Sequence, residues 1–128
     1  MSKLLSNRSE QALCGVHPEL INVVRRAFIL SSTDFIVIEG LRSQARQREL
    51  MQAGASRTFN SRHLTGHAVD LAPWVNGTIP WQDWHAFSSV ASAMKSAARE
   101  LNVSLVWGGD WKSFRDGPHF ELSREVYP

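Results

Sequence analysis

Apolar positions along this chain recur with two different periods. Between Pro18 and Ser31, the residues Leu20, Ile21, Val23, Val24, Phe28 and Ile29 return three and four positions apart, which predicts a core-facing helix over 18–31. His17-Pro18-Glu19 reads as its start, because proline suits a first turn and an acidic residue suits the positive end of the helix dipole. A stricter stripe runs through Trp84, Phe87, Val90, Ala91, Met94, Ala97, Ala98 and Leu101 and predicts a helix over about 82–101. Ser6 to Leu13 reads as a short amphipathic helix. A further helix is expected over roughly 44–53, capped by Ser43 and stopped at Gly54.

The other period is two. Phe35-Ile-Val-Ile38 is a β-branched run and predicts a buried strand. His67 to Ala72 alternates, with Ala68, Asp70 and Ala72 on one face and His67, Val69 and Leu71 on the other. Val103 to Val106 and Pro118 to Leu122 are the remaining strand candidates. Residues 54–62 read as a loop, Asn76-Gly77 as a tight turn within 73–80, and Trp107-Gly-Gly-Asp-Trp111 as a loop. Helices come first, then strands and helices mix, which is the pattern of an α+β fold.

Composition narrows the classes. At 128 residues and 43% hydrophobic, the chain suits one domain with a single core, and its 20% charged content is that of a globular protein. The single cysteine, Cys14, excludes an internal disulfide and a Cys-rich zinc site; set in an apolar stretch, it is expected to be a buried, inert thiol. The net charge is +2, and 11 of the 14 basic residues are arginine. They are scattered and form no recognised nucleic-acid motif, so nucleic acid is not an expected partner. The first ten residues hold no long apolar stretch, and no apolar run reaches membrane-spanning length. Synthesis in the cytoplasm, without a secretory signal and without membrane insertion, is the expectation.

The chemistry gathers around Ser61 to Asp70, which holds two histidines and an aspartate within ten residues. A catalytic zinc takes three protein ligands and keeps one position open. His63 and Asp70 are candidates for two of them, with Gly66 relaxing the backbone between and Ala68 keeping the strand surface small. His119 is the candidate third ligand, because Asp116-Gly-Pro-His119 places a carboxylate three residues before it. Metal-assisted hydrolysis needs a carboxylate to move a proton from water to the leaving amine; Asp116 is the preferred candidate and Glu121 the rival. Arg42, leaving a buried strand, is placed to face a developing oxyanion or to grip a substrate carboxylate. His67 points away from Asp70 on a regular strand and is expected to be supporting or substrate-facing. Trp107 and Trp111 flank Gly108-Gly109-Asp110 and are expected to line a groove, whereas Trp74, Trp81 and Trp84 are expected to pack in the core or in loops.

Ser61-x-His63-x-x-Gly66-x-Ala68-x-Asp70 resembles the signature of zinc peptidases that cut peptidoglycan stem peptides. That family includes D-alanyl-D-alanine carboxypeptidases and phage L-alanyl-D-glutamate endopeptidases, and is related in fold to Hedgehog amino-terminal domains. Phe35-x-Val37-x-Glu39-Gly40-x-Arg42-Ser43 with Gln47 resembles its strand-then-arginine segment. Trp107-Gly-Gly-Asp-Trp111 followed by Asp116-x-Pro118-His119-Phe120 resembles its closing segment. Aspartate at position 116, where other branches carry glutamate, resembles the endolysin branch.

The resemblance implies a small single domain over 1–128, a central antiparallel sheet with helices packed on it, and no separate cell-wall-binding domain. It implies one Zn²⁺ on His63, Asp70 and His119, with Asp116 as catalytic base, Arg42 stabilising the transition state or binding substrate, and Ser61 and Gln47 supporting. The function it implies is an endolysin that waits in the host cytoplasm for a holin and then cuts the L-alanyl-D-glutamate bond of peptidoglycan, lysing the cell; a monomer is the default expectation. A D-alanyl-D-alanine carboxypeptidase and a non-catalytic zinc-stabilised binding domain are the alternatives.

Overall fold

The computed structural model describes residues 3–56 and 61–128. Its helices begin where side chains satisfy the first free N–H groups. The Ser6 hydroxyl accepts from Ser9 N to start α1 (Asn7–Ala12). His17 Nδ1 accepts from Glu19 N to start α2 (Pro18–Leu30), with Pro18 in the first turn as expected. Ser43 caps α3 (Gln44–Gln52) and Asp83 caps α4 (Trp84–Leu101). α4 ends on Asn102 in a left-handed conformation, φ 59°.

α2 and α4 pack against each other and supply about half of the core. Leu20, Val23, Val24, Ala27 and Phe28 face Val90, Ala91, Met94, Ala97 and Ala98, all buried. The predicted apolar stripes are therefore the packed ones, except at their ends. Ile29, Trp84 and Leu101 remain substantially exposed, because the stripe rotates off the interface there.

The strands are β1 (Phe35–Glu39), β2 (Ala68–Pro73), β3 (Leu105–Trp107) and β4 (His119–Leu122). They form one antiparallel sheet in the order β1-β2-β4-β3. The α+β expectation, with helices packed on an antiparallel sheet, holds. Part of the expected 54–62 loop lies outside the described residues, and its end is a 3-10 helix over Arg62–Thr65. Asn76 and Gly77 make the expected tight turn, both with positive φ, and Val75 and Thr78 exchange hydrogen bonds across it.

Register then decides which side chains meet. Asp70 stands opposite His119 on one side and Glu39 on the other. The second pairing depends on a bulge: Val37 pairs with Leu71, but the next paired residue of β1 is Glu39, opposite Asp70. The extra residue, Ile38, is left 44% exposed. Without the bulge Ile38 would face Asp70; with it, an acid does.

One expectation fails here. Cys14 is exposed, not buried. It follows the end of α1, where the chain turns toward Gly15, and the apolar burial is taken by Leu13 and Val16 on either side.

Candidate metal centre and its cleft

Three elements bring His63, Asp70 and His119 together, and their ligand atoms all lie within 4.8 Å of one another. His63 rides on the 3-10 helix, which Ser61 caps by accepting from His63 N at 3.2 Å. Gly66 ends that helix at φ 75°, and a Cβ there would lie 2.5 Å from the Gly15 carbonyl oxygen. The chain thus turns directly into β2, seven residues from His63 to Asp70. Arg62 staples the 3-10 helix from behind, donating to the Leu122 and Tyr127 carbonyls.

The hydrogen bonds of the two imidazoles set which nitrogen faces Asp70. His63 Nδ1 meets the Gly40 carbonyl at 2.9 Å, so it carries the proton, and Nε2 faces Asp70 Oδ1 at 3.2 Å. His119 Nε2 meets Glu121 Oε1 at 2.8 Å, and Nδ1 faces Asp70 Oδ1 at 3.4 Å. Two imidazole lone pairs and a carboxylate oxygen therefore converge. Three acceptors this close require a cation between them, either protons or a metal ion. The donor set, two imidazoles and a carboxylate with each imidazole fixed by a second hydrogen bond, fits a divalent metal.

Protons fill that role when no metal does. Burial works against charge on His119, but its hydrogen bonds to Asp70 and Glu121 prevail and raise its pKa to about 9. Burial also works against the Asp70 carboxylate; the bonds from His119 and His63, with their charges, nevertheless hold it well below the usual range.

A cleft of about 630 Å³ opens over the triad, with Glu39, Arg42, Arg46, Ser61, Trp111 and Asp116 among its walls. Asp116 reaches it because the chain folds back on Gly108: Asp116 N donates to the Gly108 carbonyl at 3.0 Å. A Cβ on Gly108 would sit 2.5 Å from the Asp116 carbonyl oxygen and 3.1 Å from His119 Cβ, so only glycine allows the approach. Burial and then the nearby Asp70 charge push the Asp116 carboxyl above its ordinary pKa. Glu121 is engaged elsewhere. Burial raises its pKa, but the His119 hydrogen bond outweighs that and lowers it.

Arg42 has partners that the sequence did not suggest. Nε and Nη2 bind Glu39 Oε1, Nη1 donates to Gln47 Oε1 at 2.7 Å and to Ser61 Oγ at 3.4 Å, and Nη2 lies 3.8 Å from Asp70 Oδ2. Its side chain is only 8% exposed. Gln47 is fully buried and also donates to Ser56 Oγ. Ser61 and Gln47 thus hold Arg42 in place, and Arg42 holds Asp70.

Trp111 lies against the His119 ring at 5.2 Å and lines the cleft. Trp107 does not line it. Its ring is 6% exposed, stacks between Trp84 and Phe120, and donates Nε1–H to the Gly117 carbonyl, because β3 turns it toward the core. His67 also lies apart from the cleft. It lies just before β2, where Nδ1 meets Thr65 Oγ1 at 2.7 Å and the ring lies 5.6 Å from His17. Sequence reasoning gave no site role to Glu39 or to the Gly40 carbonyl. The β1 bulge and the close approach of Gly40 to Ala12, which place them, leave no periodic signal.

Residues 1–125 match the model of the family described as phage L-alanyl-D-glutamate peptidase. The L-alanyl-D-glutamate peptidase of Escherichia phage T5 is 39% identical over 99% of this chain and 94% of that protein. The peptidoglycan L-alanyl-D-glutamate endopeptidase CwlK of Bacillus subtilis is 30% identical over 70% of this chain and 60% of its own length. Among solved structures, the Serratia marcescens L-Ala D-Glu endopeptidase ChiX superposes with a TM-score of 0.91 at 49% identity, over 97% of this chain and 92% of that one.

Proposed function

The chain belongs to the phage L-alanyl-D-glutamate peptidase family, and from that premise we propose how its cleft works: it is a zinc endopeptidase that hydrolyses the L-alanyl-D-glutamate bond of peptidoglycan. The observation that carries the reading is the convergence of His63 Nε2, His119 Nδ1 and Asp70 Oδ1 beneath a cleft that also holds Asp116.

His63, Asp70 and His119 would hold the zinc. When bound, zinc supplies Lewis acidity that polarises the scissile carbonyl and makes water a stronger acid. Gly40 and Glu121 keep each imidazole in the tautomer that offers its lone pair. The Asp116 carboxylate takes a proton from water as its oxygen attacks the carbonyl carbon, then gives it to the glutamate nitrogen as the C–N bond breaks. A carboxyl raised by burial holds that proton more readily between the two events. Glu121 is a poor rival for this task, because it already accepts from His119. Arg42, itself held by Glu39, steadies the Asp70 carboxylate, and the Arg42 charge offsets negative charge developing in the cleft.

All these groups come from one chain, so a monomer suffices. Among the described residues no helix is long and apolar enough to cross a membrane. In the phage setting, release to the wall through a holin and lysis of the host complete the reading. A D-alanyl-D-alanine carboxypeptidase would use the same triad. Mass spectrometry of peptidoglycan digested by the zinc-loaded protein separates the two: new amino-terminal D-glutamate supports the endopeptidase, and released D-alanine overturns it.

A further inference from the structure

We propose that Arg115 binds the free carboxylate of the residue on the leaving side of the scissile bond, and so sets this cleft's preference for an acidic residue there. The inference rests on the endopeptidase reading. A glutamate residue within a peptide extends the chain through one carboxyl group and leaves the other free. That free carboxylate lies a few bonds from the leaving nitrogen. It must enter a cleft already lined by Glu39, Asp70 and Asp116, and so it needs a cation of its own.

Among the described residues three arginines line the cleft: Arg42, Arg46 and Arg115. Arg42 is engaged by Glu39 and lies near Asp70. Arg46 pairs with Glu49 at 3.1 Å. Arg115 pairs with no carboxylate among the described residues. It is nevertheless held firmly. Its Nε donates to the Gly109 carbonyl at 3.0 Å, and its guanidinium carbon sits 4.3 Å from the centre of the Trp84 ring. One face and one nitrogen are thus anchored to protein, and the two terminal nitrogens carry no carboxylate. A planar fork already fixed in orientation loses little freedom on binding an anion bidentately.

Placement agrees. Arg115 directly precedes Asp116, the group that hands the proton to the leaving nitrogen. Phe114, just before it, adopts φ 53°, a left-handed conformation unfavourable for a residue with a side chain. The loop's course is therefore imposed by its surroundings. The Arg115 stack on Trp84 and the Asp116–Gly108 bond are two of the contacts that impose it.

The test compares kcat/KM of the zinc-loaded full chain on two synthetic stem peptides, one with L-alanyl-D-glutamate and one in which only that free carboxylate is replaced by the isosteric carboxamide. The wild type should prefer the carboxylate by about 10- to 100-fold, the range of one charged hydrogen-bond pair. Arg115→Gln should lose that factor on the acidic peptide, change little on the amide, and so bring the preference close to unity. Arg115→Lys should keep part of it. A wild type without preference, an Arg115→Gln protein that retains it, or a preference that collapses in Arg46→Gln instead would each overturn the assignment. A wild type that cleaves neither peptide overturns the endopeptidase reading itself, which is a different result.

Discussion

Glu121 Oε1 lies 2.8 Å from His119 Nε2, two residues along the same strand, and that bond turns the other imidazole nitrogen toward Asp70. In the proposed mechanism Glu121 therefore positions His119 as a ligand for the metal. Removing its charge should weaken the grip on metal more than the chemistry. Glu121→Gln is expected to lower zinc affinity about 10- to 100-fold while leaving kcat at saturating zinc within a few-fold of wild type. Zinc titration of the chelator-treated protein, followed by turnover at excess zinc, reads both quantities. A lost kcat with intact zinc affinity would make Glu121 the base.

Arg42 and Glu39 form a largely buried pair beside Asp70. Cutting one partner leaves the other charge without compensation. Arg42→Ala should cost about 3 kcal/mol or more in urea unfolding, and the double change Arg42→Met with Glu39→Gln should recover a good part of it. Additive losses in the double variant would show that the pair is not coupled.

The metal-free protein should carry a pH signature from His119. Its pKa is raised from 6.5 to about 9 in the folded chain, so its charged form stabilises the fold. That contribution is complete below about pH 6.5 and is lost as pH rises through about 9. Asp70 works in the other direction: its lowered pKa gives stability that is present above about pH 4 and is lost on acidification. Urea midpoints measured in chelator should fall across the alkaline window, and His119→Gln should remove that fall. A flat profile in the wild type would contradict the triad's electrostatics.

Gly108 has no room for a side chain against Asp116 and His119. Gly108→Ala should destabilise the fold by about 1–3 kcal/mol and reduce turnover by displacing Asp116. Thermal unfolding and kcat test this together. Unchanged values for both would mean that the loop is less tightly packed than the Cβ distances imply.

Much of this site was legible before any coordinates, and for identifiable reasons. His63, Asp70 and His119 stood out because ligand chemistry constrains residue type more tightly than packing does, and the structure brings those three together. The helices of the core followed from unbroken apolar stripes, and the starts of α2 and α3 from His17-Pro18-Glu19 and Ser43. Other features depended on geometry with no periodic trace. The pairing of Glu39 with Asp70 requires a bulge that shifts register by one residue at Ile38. Trp107 and Trp111 look equivalent around their glycines, yet β3 sends the first into the core and the 3-10 turn at Gly108–Asp110 presents the second to the cleft. The place of Arg42 on Glu39, Gln47 and Ser61 follows from three elements meeting at one point.

The central claim divides the work between a triad that holds zinc and an aspartate that moves the proton. Asp116→Asn separates the two, because amide and carboxylate have nearly the same shape. Zinc content and cleavage of an L-alanyl-D-glutamate stem peptide should be measured on the same purified sample. The account predicts about one zinc per chain with wild-type affinity, as for a catalytic site with three protein ligands, and cleavage reduced by about 100-fold or more. Cleavage near the wild-type rate, or loss of the zinc with the activity, would contradict it.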